Sequence, residues 1–249
     1  LHKEYRRQRQ MCIRDSKNSQ QSCKLNVTGP SGTMAEWKGK SILAQLGIKT
    51  PRGALARSDG EAQTIARDIG YPVVMKAQAD RLAHKSEVGG VMINISSHEA
   101  LQAAWTRLRT NVAAYDKSLH LDGILVEEMA PRGATEMIVG TKRDANWGAM
   151  LVVGLGGIWT EALHDAVSLP VSAGEAEIRH ALTQLKGAAV LRGLRGEAPR
   201  DVDALIDLIL KIGALMRAND KIVEIDINPV NVYAQGQGCI ALDALFVME

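Results

Sequence analysis

Cysteine is scarce in this sequence. Three stand in 249 residues, Cys12, Cys23 and Cys239. They show no metal-binding spacing and no paired framework, which excludes a disulfide-stapled scaffold and a cysteine-built metal site. That usage fits a reduced, cytoplasmic setting. An excess of one charge is lacking too: 30 Lys and Arg face 28 Asp and Glu, a formal net charge of +2. Part of the basic excess sits in the first stretch, HKEYRRQR. Beyond it the charges are mixed, so composition makes no case for a nucleic-acid partner. No apolar run approaches the ~20 residues that span a bilayer. The charged N-terminus also lacks the apolar core of a secretory signal, so no membrane association is expected. What is present is a globular balance, 46% hydrophobic and 23% charged, enough for one large domain or two small ones.

The first 33 residues differ from the rest. They are rich in Gln, Ser, Lys and Arg without a sustained apolar period, which predicts a disordered tail over 1–33. Within it QMCIRDS, residues 10–16, back-translates by one choice of codons to CAG ATG TGT ATA AGA GAC AGY. That string resembles the mosaic-end adapter of transposon-based sequencing libraries. The segment reads as an assembly scar, with a natural disordered tail as the alternative.

From Met34 the pattern becomes regular. AEWKGKSILAQLG sets Trp37, Ile42, Leu43 and Leu46 near helical spacing and stops at Gly47. TPRG reads as a turn. SDGEAQTIARDIG opens on the capping residues Ser58 and Asp59 and ends at Gly70. YPVVMKAQ and VMINIS read as strands, with a helix over about 97–114 after the second. DGILVEEM, EMIVGTK and GAMLVVG predict three more strands, and IWTEALHDAVSL holds a fourth. Helices are expected at about 174–186 and 199–217. KIVEIDINPV and GCIALDALF then form a hairpin across AQGQG. Strands that alternate with helices in one part and follow one another in another predict a mixed α+β chain of two layers.

Two familiar nucleotide motifs fail. GKS at 39–41 looks like the end of a P-loop, but the earlier glycine position holds Met34. GLGGIW at 154–159 begins like a dinucleotide fingerprint and ends on Trp159. No place for coenzyme A is evident.

Other segments carry more. In IVEIDINP, alternation puts Val223, Ile225 and Ile227 on one face and Glu224, Asp226 and Asn228 on the other. Two carboxylates and an amide oxygen make a hard-oxygen surface of the kind Mg²⁺ takes, although a solvent-washed face gives the same pattern. Asp243 is the one polar residue in the apolar run IALDALF, and a carboxylate there needs a partner. Lys76 ends the apolar run YPVVM; it is either a point cation for phosphate or a surface lysine. Glu127, Glu128 and Met129 follow a buried-looking strand; either this is an ordinary strand end, or a carboxylate there meets ribose hydroxyls and the backbone a purine edge. Glu136, at a strand start, is a candidate of the same kind. In RLAHKSEVGGVMINIS, His84 and Lys85 precede Gly89 and Gly90. Paired glycines allow close backbone approach and offer N–H donors to phosphate. A neutral imidazole, with a reference pKa of ~6.5, is a competent nucleophile.

Taken in order, EWKGK, LGI, TPRGALARS, IGYPVVMK, HKSEVGGV, LVEEM, EMIVGTKRD, VGLGGI, LRGLRG, EIDINPV and ALDAL resemble the ATP-grasp domain of ADP-forming acyl-CoA synthetases. The likeness is to the β subunit of ADP-forming acetate–CoA ligase and runs from about Ala35 to Phe246. It implies a two-lobed ATP-grasp fold over 34–249, with a lid of about 51–126 and a core of about 34–50 and 127–249. It implies that Lys76 grips nucleotide phosphates, with Lys85, Gly89 and Gly90 in the adjoining loop. Glu127, Glu128 and Met129 match the adenine hinge, and Glu136 an acidic position near the nucleotide. Asn228 and Asp243 match the Mg²⁺ ligands, with Asp226 close by. His84 matches a histidine that carries a phosphoryl group to ADP. Glu87 and His164 depart from the family, which commonly has Asp and Lys there.

The reaction implied is carboxylic acid, CoA and ATP giving acyl-CoA, ADP and phosphate. The cofactors are then ATP or ADP with Mg²⁺. CoA would lie on a phosphohistidine-bearing α subunit or fused N-terminal domain, making a hetero-oligomer that acts on a small carboxylic acid. Three other readings stay open at this level: a carboxylate–amine ligase of the same fold, a succinyl-CoA synthetase β subunit, and a non-catalytic ATP-sensing module of a larger regulatory protein.

Overall fold

The computed structural model of the chain describes residues 25–80, 82, 85–157, 165–194 and 196–249. They fall into two compact units, one of residues 29–133 with 240–249, the other of 134–239 with 25–28. Each combines helices with antiparallel sheet, as the mixed strand and helix pattern predicts.

The first unit begins with β1 (Gly32–Met34), α1 (Glu36–Gln45), β2 (Gly53–Ala56) and α2 (Asp59–Ile69). It continues with β3 (Val73–Gln78), β4 (Val91–Ile95), α3 (His98–Tyr115) and β5 (Gly123–Glu128). The caps are those the sequence advertises. Ser58 Oγ accepts from Glu61 N at 3.2 Å, and Ser97 Oγ from Ala100 N at 3.2 Å, each satisfying an N–H that a helix start leaves open. The sheet order is β2-β5-β3-β4, antiparallel throughout. Val73 and Met75 of β3 and Ile124 and Val126 of β5 pack with Ala62 and Ala66 of α2 and Leu101, Trp105 and Leu108 of α3. Because strand side chains alternate, Lys76, Gln78 and Glu127 project from the other face, toward α1. Strand β2 follows the expected turn TPRG, over residues to which the sequence pattern assigned no element. It exists through tight pairing with β5: a Cβ on Gly53 would come 2.1 Å from the Val126 carbonyl.

The second unit holds β6 (Thr135–Asp144), β7 (Gly148–Leu155), β8 (Ala166–Pro170), α4 (Glu175–Thr183), α5 (Val202–Ala218) and β9 (Ile222–Val232). Its strands run in the order β9-β6-β7-β8. Leu205, Ile206, Ile209 and Ile212 of α5 are buried, as are Met137, Val139, Leu151 and Val153 of the sheet. Strand β9 bulges against β6, where Asn228 and Pro229 together face only Ile138, between the pairs Met137↔Val230 and Val139↔Ile227. A bulge admits Pro229, which has no N–H to give the ladder.

Two sequence expectations change. The tail boundary moves: Val27 N donates to Asn219 Oδ1 at 2.8 Å and Asn219 Nδ2 to the Leu25 carbonyl at 3.0 Å, and β1 pairs with the C-terminal strand. The run GCIALDALF is two strands, β10 (Cys239–Ala241) and β11 (Leu245–Met248). Asp243 therefore sits in a break and not within a strand; its Oδ1 accepts from Ala244 N at 2.8 Å, a local bond that competes with the ladder. Among the described residues, no helix is long and apolar enough to cross a membrane.

Candidate functional site

The site in the first unit is built around the start of α1. Ala35, its N-cap, makes no side-chain hydrogen bond to the helix start. The open N–H groups are met from β3 and just beyond it. Asp80 Oδ1 accepts from Ala35 N at 2.9 Å, and Gln78 Oε1 from Trp37 N at 3.0 Å. This fixes Glu36 in the first turn, with its side chain wholly out of solvent.

Three ammonium groups converge on that carboxylate. Lys76 Nζ lies 2.7 Å and Lys40 Nζ 2.8 Å from Glu36 Oε1, and Lys85 Nζ lies 3.2 Å from Oε2. Gln78 Nε2 donates to Oε2 at 3.2 Å. Burial pushes the Glu36 carboxyl up, but Lys76, Lys40 and Lys85 outweigh it and hold the group well below the usual carboxylate range. Lys76 mirrors this: burial pushes its ammonium down, and Glu36, Glu127 and Asp243 raise it above the ordinary lysine value.

A second buried carboxylate completes the cluster. Glu127 Oε1 and Oε2 accept from Lys40 at 2.6 and 2.7 Å, and Lys76 lies 3.3 Å from Oε2. Lys76 also donates to the Leu242 carbonyl at 2.6 Å. Lys85 reaches Asp243 at 3.3 Å to Oδ1 and 3.2 Å to Oδ2. The Asp243 side chain is 32% exposed, so the network opens to solvent at that end. Lys76 is thus no surface lysine, and Asp243 has the partner that an isolated carboxylate requires.

The loop after β3 is a tight turn as well as a candidate phosphate loop. Gly90 N donates to the Lys85 carbonyl at 2.7 Å and Gly89 N to the Ser86 carbonyl at 3.2 Å. Both N–H groups are engaged inside the loop, which corrects the expectation that they stand as free donors. Gly89 has φ +64°, a left-handed backbone that favours glycine, and a Cβ there would push on the Asn111 amide, 2.6 Å away. His84 and His164 lie outside the described residues.

Glu128 is held by Arg52, whose Nε donates to Oε2 at 2.7 Å and whose N donates to Oε1 at 3.0 Å. Met129 follows β5 and is half-buried. Glu127 is thus paired in the buried cluster and Glu128 in an exposed ion pair. In the second unit, Asn228 is exposed on β9, Asp226 is half-buried opposite Gly140, and Glu224 pairs with Lys142 at 3.2 Å. Ile225 and Ile227 are buried, so the expected alternation holds at these positions. Glu136 is exposed beside the glycines after β7: its carbonyl accepts from Gly156 N at 2.8 Å, and its Oε2 lies 2.5 Å from where a Gly157 Cβ would stand. Among the described residues, no three His, Cys, Asp or Glu cluster closely enough to hold a metal by themselves.

Sequence reasoning missed Glu36, Lys40 and Gln78. A Glu and a Lys at i and i+4 look like an ordinary exposed helix pair, and nothing local marks their face of α1 as buried.

Residues 27–248 match the family model of an ATP-grasp domain. The chain belongs to the ATP-grasp family. It is 36% identical over 217 residues to the β subunit of acetate–CoA ligase (ADP-forming) II of Pyrococcus furiosus, covering 87% of this chain and 92% of that one. It is 45% identical over 219 residues to trans-feruloyl-CoA synthase FCS1 from an unknown prokaryotic organism; there the match covers 88% of this chain but 31% of the relative. Within the ATP-grasp family it is therefore a member of the ADP-forming acyl-CoA synthetase group, whose named members are ligases. A solved dinucleotide-forming acetyl-coenzyme A synthetase 1 of Ca. Korarchaeum cryptofilum, in complex with coenzyme A and Ca-AMPCP, superposes with a TM-score of 0.83 at 30% identity, covering 97% of this chain and 99% of that one. The same enzyme with coenzyme A and Mg-AMPPCP, described with its phosphohistidine segment pointing towards the nucleotide binding site, gives 0.73 at 30% identity, covering 87% and 93%.

Proposed function

We propose that this chain is the nucleotide-handling part of an acyl-CoA synthetase that interconverts carboxylic acid, CoA and ATP with acyl-CoA, ADP and phosphate. The observation that carries this reading is the buried cluster of Lys40, Lys76 and Lys85 on Glu36 and Glu127. Three ammonium groups face two fully buried carboxylates, and the balance lies with Asp243 at the exposed end. That arrangement suits a polyanion, because phosphoryl transfer is helped chiefly by positioned positive charge. Lys85 alone of the three has no contact shorter than 3.2 Å and it follows His84 in sequence, so its ammonium would be the one to exchange a carboxylate for a phosphate.

His84 is the proposed relay. An imidazole nitrogen attacks the γ-phosphorus of ATP, the bond to the bridging oxygen breaks, and ADP leaves with that electron pair. The phosphoryl group then passes to the partner's acceptor, and the sequence reverses for ATP synthesis. On this reading Asn228, Asp226 and Asp243 would be the Mg²⁺ ligands, each through a side-chain oxygen, which suits an ion that takes one or two carboxylates and otherwise water and phosphate. Bound there, Mg²⁺ would shield the β- and γ-phosphate charge. Lys76, Gly89 and Gly90 would border the phosphates, Glu136 the nucleotide's polar edge, and the backbone of Glu127, Glu128 and Met129 the adenine. Residues 51–126 are read as the lid. CoA and the small carboxylic acid belong to an α subunit or fused domain, in a cytoplasmic hetero-oligomer or longer chain. The relatives in which a comparable segment is a separate subunit or a third of a longer enzyme support that division.

Calorimetric titration of the full chain with Mg·ATP, then assay of acyl-CoA-dependent ATP formation with a CoA-binding partner, tests the reading. Metal-dependent binding and partner-dependent turnover are expected. Absence of Mg·ATP binding would overturn it.

A further inference from the structure

We infer that Glu36 is a positioning residue for the phosphate-facing lysines: its carboxylate sets the ammonium groups of Lys76 and Lys85, and Lys40 is the counter-cation that holds the carboxylate in place. This rests on the nucleotide reading above. Glu36 Oε1 accepts from Lys40 and Lys76 at 2.8 and 2.7 Å, and Oε2 faces Lys85 and Gln78, each at 3.2 Å. Four donors on two oxygens, with a side chain wholly out of solvent, leave the carboxylate no lone pair for a substrate. Glu36 therefore acts through the lysines.

The three lysines are held differently. Lys40 faces Glu36 and both oxygens of Glu127, none farther than 2.8 Å, and is occupied by protein alone. Lys76 is fixed by Glu36 and the Leu242 carbonyl at 2.7 and 2.6 Å, with Glu127 at 3.3 Å. Lys85 has only contacts of 3.2–3.3 Å, to Glu36 and Asp243. Tethering Lys76 and Lys85 to one buried anion fixes their separation before a ligand arrives, so a ligand's phosphates need not order two flexible side chains. Gln78 adds a second constraint by bonding both Glu36 and the Trp37 N–H, which ties the carboxylate to the helix start.

The test uses the full chain and two variants, Glu36→Gln and the double variant Glu36→Gln/Lys40→Met. The single change leaves three buried lysines short of a counter-charge. The double change removes one anion and one cation, leaving Lys76 and Lys85 against Glu127 and Asp243. Thermal unfolding is read beside calorimetric affinities for Mg·ATP and for adenosine. The double variant is expected to unfold closer to wild type than Glu36→Gln does and to keep wild-type adenosine affinity. Its Mg·ATP affinity should fall by ~10-fold or more, from loss of aligned charge-assisted contacts. Wild-type Mg·ATP affinity in the double variant would overturn the inference, and so would tighter Mg·ATP binding by Glu36→Gln, which would make Glu36 a competitor of phosphate. If the double variant does not fold, Glu36→Asp decides the matter: it keeps the charge and retracts the carboxylate by one methylene. Weaker Mg·ATP binding with adenosine affinity intact supports positioning; unchanged Mg·ATP binding refutes it. Failure of the wild-type chain to bind Mg·ATP would instead sink the proposed function.

Discussion

Replacing Lys40 by Met removes one ammonium from the buried network and keeps most of the aliphatic stem. Lys40 lies 2.6 Å from Glu127 Oε1 and 2.8 Å from Glu36 Oε1, and the side chains are 6%, 3% and 0% exposed. Solvent screening is therefore small. Removing one partner of a buried ion pair costs about 3–5 kcal/mol, because the other charge stays buried without compensation. For a chain of this size each kcal/mol moves the melting point by ~2–4 °C, so the expected loss is ~6–20 °C at pH 7. Lys38→Met is the internal control. Its partners are Asp80 at 2.9 Å and Asp122 at 3.7 Å, with the three side chains 34%, 36% and 30% exposed, and exposed pairs of that kind contribute ~1 kcal/mol at most each. The deficit of Lys40→Met also depends on pH. The Glu36 carboxyl is held below its ordinary value by Lys76, Lys40 and Lys85 against the opposing effect of burial. Its stabilisation is thus complete above the unfolded pKa of ~4.3 and is lost as pH falls below that toward the folded value. Because Lys40→Met weakens this effect without changing the unfolded chain, the gap between variant and wild type should stay constant from neutrality down to the variant's own folded value and narrow only below it. Thermal unfolding followed by circular dichroism from pH 7 to pH 3 measures both. A melting point within ~3 °C of wild type at pH 7, or a gap that widens in acid, would refute the reasoning.

Lys76→Ala should weaken binding of ADP and ATP more than binding of adenosine, since only the phosphates meet the cation; calorimetry at a temperature where the variant is folded checks this, and equal loss for all three would point to a folding defect. Asp243→Ala should reduce the Mg²⁺ dependence of ATP affinity, and an unchanged dependence in the same titration would remove Asp243 from the metal site. Asn219→Ala deletes bonds to Val27 N, Leu25 O and Leu215 O, at 2.8, 3.0 and 2.9 Å. It should cost ~1–3 kcal/mol in urea unfolding, the range for leaving buried backbone groups unpaired.

Much of this was legible because it is periodic. The alternation of IVEIDINP foretells Ile225 and Ile227 inside and Asn228 outside, since a strand inverts its side chains at every residue. Ser58 announces the start of α2 by the bond its hydroxyl makes. Lys76 stood out as a charge at the end of an apolar run. Glu36 and Lys40 did not, because their importance comes from tertiary contact: α1 lays its first turns on the polar face of the sheet, while Trp37, expected in its apolar stripe, is only half-buried. Strand β2 was illegible for a related reason. GALA has no strand-forming side chains, and its pairing depends on the absence of a Cβ at Gly53. Asp243 was placed in a continuous strand because its neighbours are apolar, but its own carboxylate binds the next N–H and interrupts the ladder.

Phosphoryl transfer through His84 is the step on which the proposed chemistry turns. Full-length chain is incubated with γ-labelled Mg·ATP, quenched, and assayed for protein-bound label that is lost in acid and retained in base. The wild type should carry such label, and unlabelled Mg·ADP should chase it back into ATP. The His84→Ala variant should bind Mg·ATP by calorimetry and carry none. An unlabelled wild type, or undiminished label in His84→Ala, would contradict the relay.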